Sequence, residues 1–172
     1  MSETDRRVAL AIMCLLFRRH RKPGCSESEL REIVGDDFKN ILKIVDSNLS
    51  LLGLQVKSMK SPVTGRKYYY VTFRRELSPR EFRLSGWRID DVAMLVATIG
   101  YIVANGGKAH IDDVKKFLRE KFSGVRVDMS IGRFIREGYI AEEENILTLD
   151  WRTYAEIDVD KLVKLLVETY SS

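Results

Sequence analysis

Apolar residues recur at helical spacing three times in the first half of the chain and then give way to alternation. Val8, Leu10, Ile12, Met13, Leu15, Leu16 and Phe17 predict a buried first helix, which runs into Arg18-Arg19-His20-Arg21-Lys22 and stops at Pro23-Gly24. Ser26 and Glu29 have capping-box spacing, so a short second helix opens at Glu27 and is closed by Gly35. Asp36 or Asp37 then caps a third helix, with Phe38, Ile41, Leu42, Val45, Leu49 and Leu52 on one face and Gly53 at its end. From Leu54 the period falls to two: Leu54, Val56 and Met59 are interleaved with Gln55, Lys57 and Lys60. Ser61-Pro62-Val63-Thr64-Gly65 turns the chain into a return strand, Arg66 to Phe73, rich in Tyr and β-branched residues. Three helices followed by a β-hairpin is the order of a winged helix.

Residues 74–88 hold Pro79 and Gly86 and lose the periodicity, and after them the plan repeats. A long apolar helix from Asp90 to about Ala104 stops at Asn105-Gly106-Gly107. A second runs from about Ile111 to Phe122, and a third, capped by Asp128, carries Ile131, Phe134 and Ile135 up to Gly138. Tyr139-Ile140-Ala141 and Ile146-Leu147-Thr148-Leu149, joined through Glu142 to Asn145, predict a second wing. Asp158 caps a last helix carrying Val159, Leu162, Val163, Leu165, Leu166 and Tyr170. The expectation is an α+β protein of two tandem winged-helix domains, 1–78 and 89–172, with residues 79–88 as linker and the last helix belonging to the second domain.

Length supports this division, since 172 residues suffice for two domains of about 80 to 90 residues, each large enough to fold alone. The apolar run from Val8 to Phe17 is about half the length of a membrane span and no small-residue cleavage site follows it, so a cytoplasmic protein is expected. Cys14 falls in a helix and Cys25 in a turn, without a CxxC or a companion His cluster, and both are expected to stay unpaired. Charge divides the chain. Residues 1–88 hold 18 Lys+Arg against 10 Asp+Glu, and residues 89–172 hold 11 against 15, so the first half suits a phosphate backbone and the second does not.

Catalytic signals are absent from the sequence. No GxxxxGK[ST], GxGxxG, GxSxG or HExxH occurs, and His20 and His110 stand apart, each beside a helix boundary. Asp90-Asp91 and Asp112-Asp113 sit at helix starts, where the helix dipole favours them, and Glu142-Glu143-Glu144 at a wing tip. No enzyme activity, metal or cofactor is expected.

The third helices are poor base readers. In the first domain the polar face offers Lys39, Asn40, Lys43, Asp46, Ser47 and Ser50; in the second, Arg133, Arg136 and Glu137. The cations lie elsewhere: Lys57, Lys60, Arg66 and Lys67 on the first wing, and Arg18, Arg19, Arg21 and Lys22 after the first helix. They are the candidate DNA-binding residues, gripping phosphates without reading sequence. Tyr68, Tyr69 and Tyr70 alternate along a strand, so at least one leaves the core side, where an exposed tyrosine beside lysines would suit a partner.

Two stretches carry a family pattern. The first is Ile44-Val45-Asp46-Ser47-Asn48-Leu49 with Leu54-Gln55-Val56-Lys57 and Thr64-Gly65-Arg66-Lys67-Tyr68-Tyr69-Tyr70-Val71. The second is Arg136-Glu137-Gly138-Tyr139-Ile140, Leu147-Thr148-Leu149 and Arg152-Thr153-Tyr154-Ala155-Glu156-Ile157. Together, over roughly residues 40–157, they resemble the non-SMC element one subunit of the Smc-five/six complex. The resemblance implies a kleisin-binding tandem winged-helix subunit of an SMC-type chromosome-maintenance and DNA-repair complex, associated with the chromosome. Its implied partners are a kleisin-type protein, a second tandem winged-helix subunit or a second copy of itself, and double-stranded DNA. That family continues into a zinc-binding RING-like domain whose Cys and His are lacking here, so ligase activity is not implied. The alternative is a winged-helix DNA-binding transcription regulator, which requires sequence-selective third helices.

Overall fold

The structure is a computed structural model that describes residues 2–17, 24–75, 81 and 86–170, the side chains of residues 166, 169 and 170 excepted. It is a mixed α+β protein that divides into two compact units, Met1–Glu81 and Phe82–Ser172. Each unit follows the order helix, short strand, helix, helix, two strands, and the mixed α+β architecture is consistent with a winged-helix-like fold. No described helix is long and apolar enough to cross a membrane.

In the first unit α1 spans Glu3–Leu16 and starts five residues earlier than the apolar pattern suggests. Ser2 and Asp5 form a reciprocal cap, and the Ser2 backbone N–H holds the Asp5 carboxyl below its usual range. The predicted Ser26–Glu29 capping box opens α2 (Glu27–Val34), and Gly35 ends it at φ +86°. α3 spans Phe38–Ser50 with Asp37 at its cap, but the Asp37 carboxylate takes the Asn40 side-chain amide instead of a helix N–H. Ala11, Leu15, Leu30, Phe38, Ile41, Val45 and Leu49 fill the core. Leu52 does not join them: the helix has ended, and Leu52 is 72% exposed.

β2 (Leu54–Lys60) and β3 (Lys67–Phe73) pair antiparallel from Leu54 opposite Phe73 to Lys60 opposite Lys67. A third strand went unpredicted. β1 (Cys25–Ser26) adds to the far edge of β3, giving the order β1-β3-β2. At two residues it has no periodicity to detect. Gly24, φ +81°, precedes it at a point where a Cβ would collide with the Tyr69 carbonyl.

This short strand corrects the reading of the cysteines. Pairing with β3 carries Cys25 back beside α1, where it forms a disulfide with Cys14, Cα to Cα 5.8 Å. Closing a loop of that size removes unfolded-state entropy worth about 3 kcal/mol. The basic run between the cysteines, with the expected phosphate contacts Arg18, Arg19, Arg21 and Lys22, lies outside the described residues. So does most of the expected junction, residues 76–80 and 82–85.

The second unit opens with α4 (Ile89–Ala104), followed by β4 (Lys108–His110) and α5 (Ile111–Arg119). β4 begins where the sequence suggested only a helix stop, and pairs with β6. The third helix, α6, spans Gly124–Glu137 with Ser123 at its cap. Asp128, expected there, lies inside the helix and binds Lys115 and Arg119 of α5, the Lys115 hydrogen bond first in holding its carboxyl low. β5 (Ile140–Glu143) and β6 (Ile146–Leu149) meet through Glu144 and Asn145, both at positive φ, as a tight two-residue hairpin turn demands. α7 (Trp151–Glu156) and α8 (Val159–Tyr170) follow, with the Lys161 N–H donating to the expected cap Asp158.

α7 locks the end of α6 to the start of β5. Thr153, fully buried, donates to the Tyr139 carbonyl at 2.6 Å, and the Arg152 amide donates to the Gly138 carbonyl. The Arg152 guanidinium lies 4.4 Å from the Tyr139 ring centroid and binds Glu156 at 2.6 Å and Glu137 at 3.2 Å. Burial, and then the Glu156 carboxylate, push the Tyr139 phenol far above its usual range, so it remains a neutral donor to Glu156.

Both tryptophans, Trp87 and Trp151, belong to the second unit, so indole fluorescence follows that unit's unfolding. Arg152→Met leaves Glu137 and Glu156 without their buried cation and should destabilise the unit by about 3 kcal/mol, read as a lower urea midpoint at unchanged slope.

Candidate nucleic-acid and partner interface

Much of the polar face of α3 is tied up in hydrogen bonds within the unit. Asp46, on its polar face, accepts from the Val56 N–H at 2.8 Å and from Arg74 at 3.0 Å, tying helix to wing. The Ser50 hydroxyl donates to the Ser47 carbonyl, Asn40 is held by Asp37, and Lys43 donates weakly to Asn40. These groups serve the fold, so little of the face remains to read base edges.

The wing keeps its charge. Ser61 builds the turn: its N–H donates to the Arg66 carbonyl, and its hydroxyl accepts from Val63 and Thr64. Lys57, Lys60, Arg66 and Lys67 are all exposed. Register separates them. Lys60 lies directly opposite Lys67 at the wing tip, whereas Lys57 opposes Tyr70 on the other face. Two lysines face to face repel each other, a cost that a phosphate between them relieves. A groove of about 330 Å³ between α3 and β2 is lined by Lys39, Lys43 and Lys57 together with Asp46 and Tyr69.

The tyrosines alternate between the two faces as their spacing demands, but none is fully exposed. Tyr69 packs edge-on against Phe38 at 5.9 Å, under the Lys67 ammonium, and Tyr70 occupies the opposite face. Both are buried and Tyr68 is half-buried, so no fully exposed tyrosine stands beside the lysines.

The second unit offers a different surface. Arg126 binds Asp90 at 2.7 Å, and Arg133 binds Asp91 and Glu137 with its guanidinium 4.1 Å from the Trp87 ring centroid. Both cations are taken by neighbours inside the unit, while Arg136 is exposed. One turn apart on the same helix, Val125 is 74% exposed and Met129 is 68% exposed. Sequence reasoning missed this apolar pair, although its i, i+4 spacing ahead of the buried stripe was a readable signal. Leu165 and Val167 on α8 are exposed as well, and a groove of about 560 Å³ between Val103, Tyr154 and Val159 lies near its start.

Chemistry is sparse. His110 caps α5 by accepting the Asp112 N–H, and His20 lies outside the described residues. No cluster of three metal-ligating side chains occurs among the described residues.

No protein-family model and no curated protein matches the chain. Among solved structures it is similar to a chain of the "Nse1-Nse3-Nse4 complex", with a TM-score of 0.69 and 13% sequence identity, over 91% of this chain and 71% of that one. At that identity the likeness is one of fold.

Asp46→Ala frees the Val56 N–H from its acceptor, which should cost the first unit about 1–2 kcal/mol. Hydrogen exchange at the Val56 amide should accelerate at least about tenfold.

Proposed function

We propose that this chain is a non-catalytic subunit of an SMC-type chromosome complex, built from two tandem winged-helix domains and binding a kleisin-type partner, with the first wing touching DNA. The observation that carries this reading is the contrast between the two third helices and the first wing. Arginines of α6 that would face phosphates are held by Asp90, Asp91 and Glu137, while Val125 and Met129 stand exposed. An apolar centre ringed by neutralised charge suits a protein partner. The fold likeness to a chain from a multi-subunit complex supports the assembly role.

The resemblance at Arg152-Thr153-Tyr154-Ala155-Glu156 also acquires a physical reason. Arg152, Thr153 and Glu156 fix the end of the helix that bears the apolar pair, so they support the docking face without touching the partner. A second tandem winged-helix subunit or a second copy of the chain is the further partner, and the complex works at the chromosome in the cytoplasm.

DNA contact follows from charge. Lys57, Lys60, Arg66 and Lys67 neutralise phosphates and release counterions, holding DNA without choosing a sequence. A transcription regulator would need base-reading side chains on α3 or α6, and Asn40, Asp46, Arg126 and Arg133 among them are engaged within the fold.

Two measurements test the proposal. The full chain, immobilised, should capture a kleisin fragment after nuclease treatment, and Val125→Glu with Met129→Glu should abolish capture while tryptophan fluorescence stays native. Undiminished capture by that variant would remove α6 from the interface. Replacing Lys57, Lys60, Arg66 and Lys67 by Gln should weaken duplex binding equally across sequences and reduce the slope of log K against log salt by about three to four units. An unchanged slope would remove the wing.

A further inference from the structure

We infer that the Cys14–Cys25 disulfide is a reversible thiol–disulfide exchange site, entered through Cys14 by a small thiol of the glutathione class. The inference stands apart from the partner and DNA readings above.

Its two sulfurs are unequal. Cys25 is 2% exposed, packed into the core and fixed on β1 between Gly24 and the capping residue Ser26. Cys14 is half-buried and lines a surface groove of about 290 Å³ with Leu10, Met13, Phe17 and Ile33. Met13 and Phe17 beside it are more than half exposed, so the groove opens to solvent. An incoming thiolate therefore meets the Cys14 sulfur, and the core shields the other.

The exchange balances without another reactant. A glutathione thiolate attacks Cys14 Sγ, the Cys14–Cys25 bond breaks, and Cys25 Sγ leaves with the electron pair and takes a proton from water. Cys14 then carries the mixed disulfide. A second glutathione thiolate completes the reduction, yielding glutathione disulfide and the Cys14 thiol; attack by Cys25 instead expels glutathione and closes the bond again. Exchange thus releases or restores the covalent tie across the segment that bears Arg18, Arg19, Arg21 and Lys22.

The test uses the intact chain treated with reduced glutathione, quenched with acid, unfolded, alkylated with iodoacetamide and mapped by mass spectrometry. Cys14 and Cys25 are the only cysteines, so every label is assigned. Untreated protein should take no alkyl label, and early time points should show glutathione on Cys14 with the alkyl group on Cys25. Alkylation of both cysteines in the untreated chain, glutathione predominantly or equally on Cys25, or no exchange until the chain unfolds would each overturn the inference. In Cys25→Ser and Cys14→Ser, each checked for folding by circular dichroism, the remaining thiol of the native chain should react at least about tenfold faster when it is Cys14. Equal rates would also overturn it, and the wild-type mapping decides the matter should either variant fail to fold.

Discussion

The second unit depends on a permanently charged group that the fold has taken out of water. The Arg152 side chain is only 10% exposed, and a guanidinium cannot shed its proton to relieve the desolvation. It must be surrounded, and Glu137 from α6, Glu156 from its own helix and the Tyr139 ring at the start of β5 do so. Those partners come from three elements, so satisfying one charge fixes the mutual positions of all three. Glu137 passes the constraint on to Arg133, which Asp91 and Trp87 hold against α4.

That chain of ion pairs has a consequence for recognition. Arginines spent on internal carboxylates cannot also neutralise phosphates at full strength, so α6 presents its apolar side chains as its distinctive surface. In the first unit Asp46 plays the corresponding part by joining α3 to the edge of β2, which removes a polar group from the face a reader would use. The first wing, whose lysines extend past the core, keeps its four cations in solvent. The first unit thus offers exposed charge on its wing and the second an exposed apolar pair on α6.

Much of this was legible in the sequence. Phe38, Ile41, Leu42, Val45 and Leu49 lie at helical intervals and are all buried, because burial of one helix face is a local constraint with a fixed period. Ser26 and Glu29 announced a cap, and Ser61 to Gly65 a turn, since each satisfies its own backbone within a few residues. The exposure of the wing cations Lys57, Lys60, Arg66 and Lys67 was readable because charge on a strand edge stays in solvent without needing a partner. Their division between two faces follows from the register and was not drawn.

What the sequence by itself determined was therefore local: where helices and hairpins form, which faces they bury, and how charge is shared between the halves. Tertiary structure alone decided the contacts between distant segments. β1 and β4 are too short for periodicity and exist only because β3 and β6 offer an edge to pair with. Cys14 and Cys25 meet because that pairing returns one of them to α1. Asp128 lies in mid-helix, bound to α5, and Asp90 and Asp91 bind α6, where spacing suggested only helix caps. Which carboxylate meets which cation depends on packing geometry across tens of residues, and pattern within a window carries no such information.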